Sequence, residues 1–267
     1  MNRPIGIFDS GLGGLTVVKS LRKELPDQSV CYFGDTARVP YGTKSASTIL
    51  KFSRENTRFL ISQDVKMIVV ACHTASSLAL EALISETDLP VVGVVKPGAR
   101  KAVEITRNGR IGVMGTKSTI SSGSYNEVIR TMDRKCEVKG IACPLLVPLI
   151  EEGWEDPSVL NRVLDHYLQP FQSGEYDTVI MGCTHYPILE SVIRSRLPES
   201  VQIVNAADET AIDISHLLGS EDVVAADPVI RYFVSDEPAQ FSKNGERFLG
   251  ASLPSVQLIS PEYIEKV

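Results

Sequence analysis

The sequence predicts an α/β fold of two pseudo-symmetric, doubly wound domains, each with a mainly parallel sheet, and an active-site cleft between them. Short apolar runs alternate with longer amphipathic stretches along the 267 residues, which is typical of parallel α/β proteins. The pattern also starts twice, because I-G-V-M at 111–114 resembles I-G-I-F at 5–8. A strand ending in cysteine follows each start, and we interpret this as an internal duplication.

In the first half, each apolar run predicts a strand and each amphipathic stretch a helix. Glycines at 11–14 join the first strand to the first helix, Pro26 ends that helix, and the turn-rich segment 34–43 predicts a loop. Pro90 and Pro97 bound the fourth strand. The predicted strands are Ile5–Phe8, Val30–Phe33, Met67–Ala71 and Val91–Val95, and the predicted helices are Leu15–Leu25, Ser45–Ser62 and Ala75–Glu86.

The second half repeats the alternation, and the tail adds further elements. Residues 147–154 predict a loop or the start of a helix. The predicted strands are Ile111–Met114, Val138–Ala142, Thr178–Met181, Val201–Val204, Arg231–Val234 and Val256–Ile259, and the predicted helices are Ser121–Asp133, Pro157–Phe171, Ile188–Leu197, Glu209–Leu218 and Ala239–Leu249. We place the first domain at residues 1–96 plus 209–267 and the second at 97–208.

Composition argues against several classes of partner. The net charge is −6 and no Lys/Arg block stands out, so neither nucleic acid nor an anionic membrane is an expected partner. No apolar run approaches the roughly 20 residues that span a bilayer. The apolar stretch at the N-terminus is too short for a signal peptide and is interrupted by Asp9. We therefore expect a cytoplasmic protein.

The cysteines divide into two groups by position. They stand at 31, 72, 136, 143 and 183, an odd number without a C-x-x-C motif, so a disulfide framework is not expected. We interpret Cys31, Cys136 and Cys143 as small apolar fillers. Cys72 and Cys183 differ because each ends a predicted buried strand, where ligands bind in doubly wound sheets.

Two matched thiols suit a particular kind of proton transfer. A thiol acts as its thiolate, and a helix N-terminus following each cysteine is expected to lower the pKa of the thiol. One thiolate can then remove a proton from a carbon while a thiol on the opposite face supplies one. Such a reaction suits a substrate and product that are mirror images. The alternative is that Cys72 and Cys183 are ordinary buried thiols at strand ends.

Two glycine-containing turns are candidate anion sites. The turn at 11–14 lacks the third glycine of G-x-G-x-x-G, since Thr16 stands there, so we do not expect a dinucleotide. A cradle of helix N–H groups for a small anion remains open, as does a simple tight turn, although the latter does not explain Asp9. Gly115–Thr119 lacks the P-loop frame, but it can offer hydroxyl groups to a carboxylate.

Histidines and glutamates near the cysteines admit more than one interpretation. Zinc binding by Cys72, His73, Cys183 and His185 is disfavoured because structural zinc sites prefer C-x2–4-C pairs. His185 is better interpreted as a group that tunes proton transfer at Cys183, whereas we interpret His166 and His216 as structural. Glu151 and Glu152 are either a solvated pair or a carboxylate in the cleft that assists one thiol.

Several segments together make the chain resemble the glutamate racemases. They are I-F-D-S-G-L-G-G-L-T-V at 7–17, V-P-Y-G-T-K at 39–44, V-V-A-C-H-T-A-S at 69–76, V-P-L-I-E-E-G at 147–153 and G-C-T-H-Y-P at 182–187. The resemblance covers nearly the full length. It implies interconversion of L- and D-glutamate for peptidoglycan, two pseudo-symmetric α/β domains, and neither pyridoxal phosphate nor a metal ion.

The resemblance also implies roles for residues. Cys72 and Cys183 are the expected acid/base thiols, with Asp9 assisting Cys72, and His185 and Glu151 assisting Cys183. The expected substrate-binding residues are Asp9, Ser10, Tyr41, Gly42, His73, Thr74, Thr116, Thr119, Thr184 and His185. A homodimer is compatible with the sequence, which does not fix the oligomeric state.

One departure from the family pattern bears on function. These enzymes usually carry asparagine after the first cysteine, whereas this chain carries His73. Histidine is bulkier and can be charged, so substrate contact or the state of Cys72 can change. The alternatives to glutamate racemisation are a racemase of another acidic amino acid such as aspartate, and a weakly active or non-catalytic amino-acid-binding homologue marked by His73. A thiol hydrolase is a third alternative.

Overall fold

The computed structural model describes residues 3–154, 156–219, 227–253 and 255–266. Within these residues the strands form two separate parallel sheets with helices between successive strands. The strands are β1 (Ile5–Asp9), β2 (Val30–Gly34), β3 (Met67–Val70), β4 (Val91–Gly93), β5 (Arg110–Gly115), β6 (Glu137–Ala142), β7 (Thr178–Gly182), β8 (Gln202–Asn205), β9 (Ile230–Val234) and β10 (Val256–Leu258).

The helices fill most of the connections. They are α1 (Leu15–Glu24), α2 (Ala46–Ser62), α3 (His73–Leu78), α4 (Leu80–Ser85), α5 (Val95–Ile105), α6 (Lys117–Ser121), α7 (Ser124–Met132), α8 (Leu146–Glu151), α9 (Pro157–Leu168), α10 (Glu190–Arg194), α11 (Ala206–Leu218), α12 (Pro238–Leu249) and α13 (Pro261–Ile264). No helix in the four described ranges is long and apolar enough to cross a membrane.

The two sheets share one strand order. The first runs β10-β9-β2-β1-β3-β4 and the second β6-β5-β7-β8. The order β2-β1-β3-β4 of the first sheet is therefore repeated by β6-β5-β7-β8, and β9 and β10 extend the first sheet at one edge. This repetition confirms the predicted α/β class with two doubly wound units, and it explains why the sequence pattern starts twice.

Each sheet has a switch point where successive strands are added in opposite directions. In the first sheet it lies between β1 and β3, where Phe8 is paired with Val70. In the second it lies between β5 and β7, where Gly115 is paired with Gly182. Crevices outside the carboxyl ends of strands at a switch point are the usual ligand sites of such sheets. Cys72 and Cys183 follow β3 and β7 at these crevices.

The central strands are apolar because helices cover both of their faces. All residues of β1, β2, β3 and β7 are buried. Parallel strands in such a position have nearly continuous apolar sequences rather than alternating ones. Polar side chains and thiols appear where these strands end: Asp9 is the last residue of β1, and Cys72 and Cys183 follow β3 and β7.

The predicted strand Val91–Val95 was too long, and the helix after it was missed. The strand ends at Gly93, and α5 begins at Val95. Pro97, which we took as a boundary, lies in the first turn of α5. A proline is tolerated there because the first N–H groups of a helix have no partner within the helix.

Two further helices are interrupted. The predicted helix Ala75–Glu86 is divided at Ala79 into α3 and α4. The predicted helix Ser121–Asp133 is instead α6 and α7, separated by Gly123, whose φ of 69° is left-handed.

The remaining differences are smaller. The predicted loop 34–43 contains the 3-10 turns Thr36–Arg38 and Tyr41–Thr43. Residues 147–154, predicted as a loop or the start of a helix, include most of helix α8. The predicted helix 188–197 is a 3-10 turn followed by the short α10. Helix α13 was not predicted. The domain boundaries at 96/97 and 208/209 remain a prediction; they fall within α5 and α11.

Candidate active site

The carboxyl ends of β1, β3, β5 and β7 open into one cavity of about 310 Å³. Both Cys72 and Cys183 line it, each about 5% exposed. The other predicted site residues in its lining are Ser10, Tyr41, Gly42, His73, Thr74, Thr116, Glu151, Thr184 and His185. Asp9 and Thr119 are not in the lining and lie directly behind it, since each contacts a lining threonine. The sequence-predicted set is thus brought together by the fold.

Asp9 ends β1 and is completely buried. Its carboxylate accepts a hydrogen bond from the backbone N–H of Gly11 at 2.9 Å, and the Thr184 hydroxyl donates to it at 3.4 Å. Burial raises the pKa of Asp9, and the nearby charge of His185 opposes this rise. Because Thr184 belongs to the second sheet unit, Asp9 is contacted from both halves of the molecule.

The Cys72 thiol lies at the N-terminus of α3 and donates to the Ser10 hydroxyl, with 3.8 Å between sulfur and oxygen. Burial, reinforced by the charge of Asp9, raises the pKa of Cys72 to about 12. The pKa of Cys72 is thus raised overall, although the helix N-terminus was expected to lower it. The N–H of Ala75 acts in the expected direction but is outweighed by burial.

Cys183 lies beside a histidine–glutamate pair. The Cys183 sulfur is 3.8 Å from Nδ1 of His185, and Nε2 of His185 donates to Oε1 of Glu151 at 2.8 Å. Burial lowers the pKa of His185, but its hydrogen bonds to Cys183 and Glu151 outweigh burial and raise the pKa to about 10. The imidazole is therefore protonated at neutral pH. Of the two interpretations of Glu151, the structure places its carboxylate in the cleft.

His73 is the least conventional residue of the lining. It is 3% exposed, and neither ring nitrogen has a hydrogen-bond partner among the described residues. Its ring is stacked on Tyr125 with centroids 6.3 Å apart and planes 24° apart. Burial lowers the pKa of His73 to about 3. His73 is therefore neutral at physiological pH, which answers the question of charge that the sequence left open.

A row of threonine hydroxyls crosses the cleft between the two sheet units. The hydroxyl oxygens of Thr74 and Thr116 are 2.9 Å apart, and those of Thr116 and Thr119 are also 2.9 Å apart. Thr116 also caps α6 by accepting from the N–H of Thr119. The Thr16 hydroxyl donates to the carbonyl of Thr184 at 3.0 Å. These hydroxyls supply donors for a carboxylate without adding charge.

Tyr41 contributes to the cleft differently from the sequence-based expectation. Its hydroxyl donates to the buried carboxylate of Asp35 and accepts from Asn56 at 3.0 Å. Arg38 contacts the same carboxylate at 2.8 Å. The Tyr41 hydroxyl is thus engaged by Asp35 and Asn56, while Tyr41 and Gly42 still line the cavity.

Sequence reasoning missed several lining residues. Cys143, which we interpreted as a filler, is buried but also borders the cavity. Val39, Lys117 and Val147 also contribute to the wall. They follow or precede predicted site residues along the chain, and that proximity was the available signal.

A second, larger cleft of about 690 Å³ has no cysteine among its lining residues, which include Ser76, Ser124 and His216. We place the reaction in the smaller cavity because the two thiols lie there. The four described ranges contain no group of three or more His, Cys, Asp or Glu side chains that could hold a metal ion.

Comparison with known proteins points to one family. A sequence model of the Asp/Glu/hydantoin racemase family matches residues 15–212. The chain is 48% identical to a glutamate racemase of Geobacter metallireducens over 97% of both chains. It is 44% identical to a glutamate racemase of Chlorobium phaeobacteroides over 96% of both.

Solved structures agree with these relatives. A glutamate racemase isoform from Bacillus anthracis superposes with a TM-score of 0.93 at 39% identity, covering 97% of this chain and 98% of that one. A Francisella tularensis glutamate racemase in complex with D-glutamate gives a TM-score of 0.90 at 36% identity, with 97% and 98% coverage. The similarity therefore extends over both sheet units and the cavity between them.

Proposed function

The chain belongs to the Asp/Glu/hydantoin racemase family, and from that premise we propose that it interconverts L- and D-glutamate without a cofactor, using two thiols. One observation carries the proposal: Cys72 and Cys183 follow corresponding strands of two equivalent sheets and line one cavity of about 310 Å³. A cavity of this size suits a small amino acid. The full-length similarity to glutamate racemases supports glutamate as the substrate.

The reaction divides into two proton transfers. A thiolate on one face takes the α-proton of glutamate, leaving its electron pair on the α-carbon, and the thiol on the opposite face then donates a proton to that carbon. The first cysteine ends as a thiol and the second as a thiolate. The next turnover in the reverse direction starts from that state, so no outside acid or base is consumed.

The two sulfurs have different charged neighbours. The protonated His185 ring lies with Nδ1 3.8 Å from the Cys183 sulfur and supplies a positive charge and a hydrogen-bond donor there. Burial and Asp9 favour the protonated thiol at Cys72. We therefore assign Cys183 as the base and Cys72 as the acid of the resting enzyme.

Reversal of roles requires a group that accepts the Cys72 proton. Asp9 is suited to this because it is a buried carboxylate, and burial raises its pKa, which makes it a better proton acceptor. Its carboxylate is also close enough for its charge to act on Cys72. Asp9 is accordingly the assisting group at Cys72, and His185 with Glu151 is the assisting pair at Cys183.

The rest of the cavity must stabilise the carbanion that forms as the intermediate. Negative charge develops on the α-carboxylate as the proton leaves, and fixed donors in a water-poor site stabilise that charge most effectively. The hydroxyl groups of Ser10, Thr74, Thr116 and Thr184 line the cavity. We assign these residues, together with the backbone at Tyr41 and Gly42, to substrate binding. The product with a cellular use is D-glutamate, which is needed for peptidoglycan.

The test is a circular-dichroism assay with each glutamate enantiomer. Cys72→Ala and Cys183→Ala should each nearly abolish racemisation, because one face then has no proton carrier. Cys31→Ala removes a fully buried thiol from β2, outside the cavity lining, and is the matched control. Ordinary turnover in either Cys72→Ala or Cys183→Ala would contradict the assignment.

Labelling in heavy water tests the two-base feature separately. With one base on each face, solvent deuterium should enter the inverted product before it accumulates in remaining substrate. Equal early labelling of both enantiomers would rule out the two-thiol scheme.

The alternative functions need separate experiments. Running the circular-dichroism assay with aspartate shows whether aspartate rather than glutamate is the substrate. Calorimetric binding of glutamate without any change in optical activity would indicate a non-catalytic homologue.

A further inference from the structure

Helix α12 lies outside the cavity lining, yet it contacts the catalytic pair beside Cys183. We propose that Phe248 and Arg247 on α12 are positioning residues that hold His185 and Glu151 in line with the Cys183 sulfur. This inference rests on the proposed function only for its catalytic consequence. The contacts themselves join the C-terminal part of the first sheet unit to the proton-transfer machinery of the second.

The His185 ring is confined by two parts of the chain. The Phe248 ring meets it edge-on, with centroids 5.3 Å apart and planes 88° apart, and Phe248 is 2% exposed. The glycine turn also passes close to the ring, because a Cβ added at Gly13 would lie 2.5 Å from Nδ1 of His185. Phe248 and the glycine turn therefore both limit the space around the His185 ring.

Glu151 is held through the end of its own helix. It is the last residue of α8, where carbonyl groups have no partner within the helix. Arg247 Nη1 donates to the carbonyl of Ile150, and Asn244 Nδ2 donates to the carbonyl of Glu151, both at 3.4 Å. A cation at a helix C-terminus also interacts favourably with the helix dipole.

The turn after α8 is shaped to admit the arginine. Gly153 has a φ of 63°, and a Cβ there would lie 2.8 Å from Nη1 of Arg247. The guanidinium thus occupies the space that a side chain at 153 would fill. Arg247, Asn244 and Phe248 together connect a single helix to both members of the His185–Glu151 pair.

This arrangement has a consequence that can be measured at His185. The titratable groups that act on its ring are Cys183 on the same loop, Glu151 on α8 and Asp9 at the end of β1. On α12, Phe248 faces the ring and the Arg247 guanidinium donates to the carbonyl of Ile150 on α8. The contact with Glu151 is one of the causes that raise the pKa of His185 to about 10. Loosening the pair should therefore lower this pKa.

The experiment follows the His185 ring by NMR in the full chain labelled with 15N-histidine. The chain has four histidines, and a His185→Gln variant assigns the signal. Phe248→Leu and Arg247→Met should each lower the pKa of His185 by about one unit or more, since the Glu151 contact weakens. In the same variants kcat for racemisation should fall by about tenfold, and the alkaline limb of its pH profile should move to lower pH.

Matched controls separate positioning from general weakening of the helix. Lys243→Met removes an exposed cation from α12 that makes no hydrogen bond or ion pair with α8 among the described residues. Leu249→Ala removes a buried side chain next to Phe248. A purely structural role predicts lower thermal stability and lower activity at every pH, with the His185 titration unchanged. Both controls should behave in that way or like wild type.

The outcomes decide the proposal. An unchanged His185 titration in Phe248→Leu and Arg247→Met, or an equal shift in the two controls, would overturn it. If Phe248→Leu does not fold, the exposed Arg247→Met variant still gives the answer. The NMR titration does not require turnover, so absence of racemisation in the wild type would refute the proposed function and leave the positioning question decided separately.

Discussion

Replacing His73 by asparagine should make the protein less sensitive to acid. Burial lowers the pKa of His73 from 6.5 to about 3, so the unfolded chain binds a proton at this position at a pH where the folded chain does not. The stability that comes from keeping His73 neutral is present above the pKa of His73 in the unfolded chain, and it is lost as the pH falls below that pKa. Asparagine has no such proton, so the His73→Asn variant lacks this loss.

The magnitude follows from proton linkage. The pKa of His73 is 6.5 in the unfolded chain and about 3 in the folded one. Protonation of the unfolded chain at this residue therefore lowers the free energy of unfolding by about 0.2 kcal/mol near pH 7 and about 2.7 kcal/mol near pH 4.5. Between these conditions wild type should therefore lose about 2.5 kcal/mol more than His73→Asn. Other titrating groups are common to both proteins and cancel in the double difference.

Urea unfolding of both proteins at the two pH values measures this quantity. His166→Asn is the matched control, because it removes an exposed histidine rather than a buried ring. It should lose the same stability as wild type on acidification. If wild type and His73→Asn have equal acid sensitivity, the buried neutral state that we assign to His73 is wrong.

Two further substitutions test how the cleft is supported. Arg38→Met should lower the free energy of unfolding by about 3 kcal/mol, since it removes the cation that contacts the buried carboxylates of Asp35 and Glu55, as urea titration would measure. Gly13→Ala should reduce racemisation while largely preserving the fold, because its Cβ would lie 2.5 Å from Nδ1 of His185; kcat and a thermal melt of the same sample check this.

Each of these substitutions has a matched control with a different expected result. Arg54→Met breaks an exposed pair with Glu86 and should change stability much less than Arg38→Met, so equal losses would contradict the role of burial. At Gly11, on the same turn as Gly13, an added Cβ would meet only Val39 at an ordinary 3.5 Å. Gly11→Ala should therefore retain more activity than Gly13→Ala, and the reverse order would refute the steric argument.

The fold was largely predictable because periodicity reports which faces are buried. Strands covered on both faces have continuous apolar sequences, and β1, β3, β5 and β7 were found on that basis. Helix α5 was missed because Pro97 was taken as a boundary, although a proline in the first turn loses no hydrogen bond. Helix interruptions at Ala79 and Gly123 depend on packing between helices, which local sequence does not contain.

The site was predictable to the extent that it follows strand ends. Asp9 ends β1, and Cys72 and Cys183 follow β3 and β7. The predicted strand ends are therefore enough to locate these three residues. Phe248 gave no such signal, because it is an apolar residue inside an amphipathic helix. Its contact with His185 spans 63 positions along the chain, and contacts of this kind arise only from the tertiary fold.

The backbone symmetry of the two sheets does not extend to the chemistry at the two sulfurs. Cys72 is near a buried carboxyl group, whereas Cys183 is near a protonated imidazole. Enantiomers have equal free energies, so the equilibrium constant is one and kcat/KM must be equal in the two directions whatever the asymmetry of the site. The unequal surroundings can appear only in kcat and KM separately. The repeated strand order therefore supplies two corresponding positions, and the side chains around the two sulfurs differ.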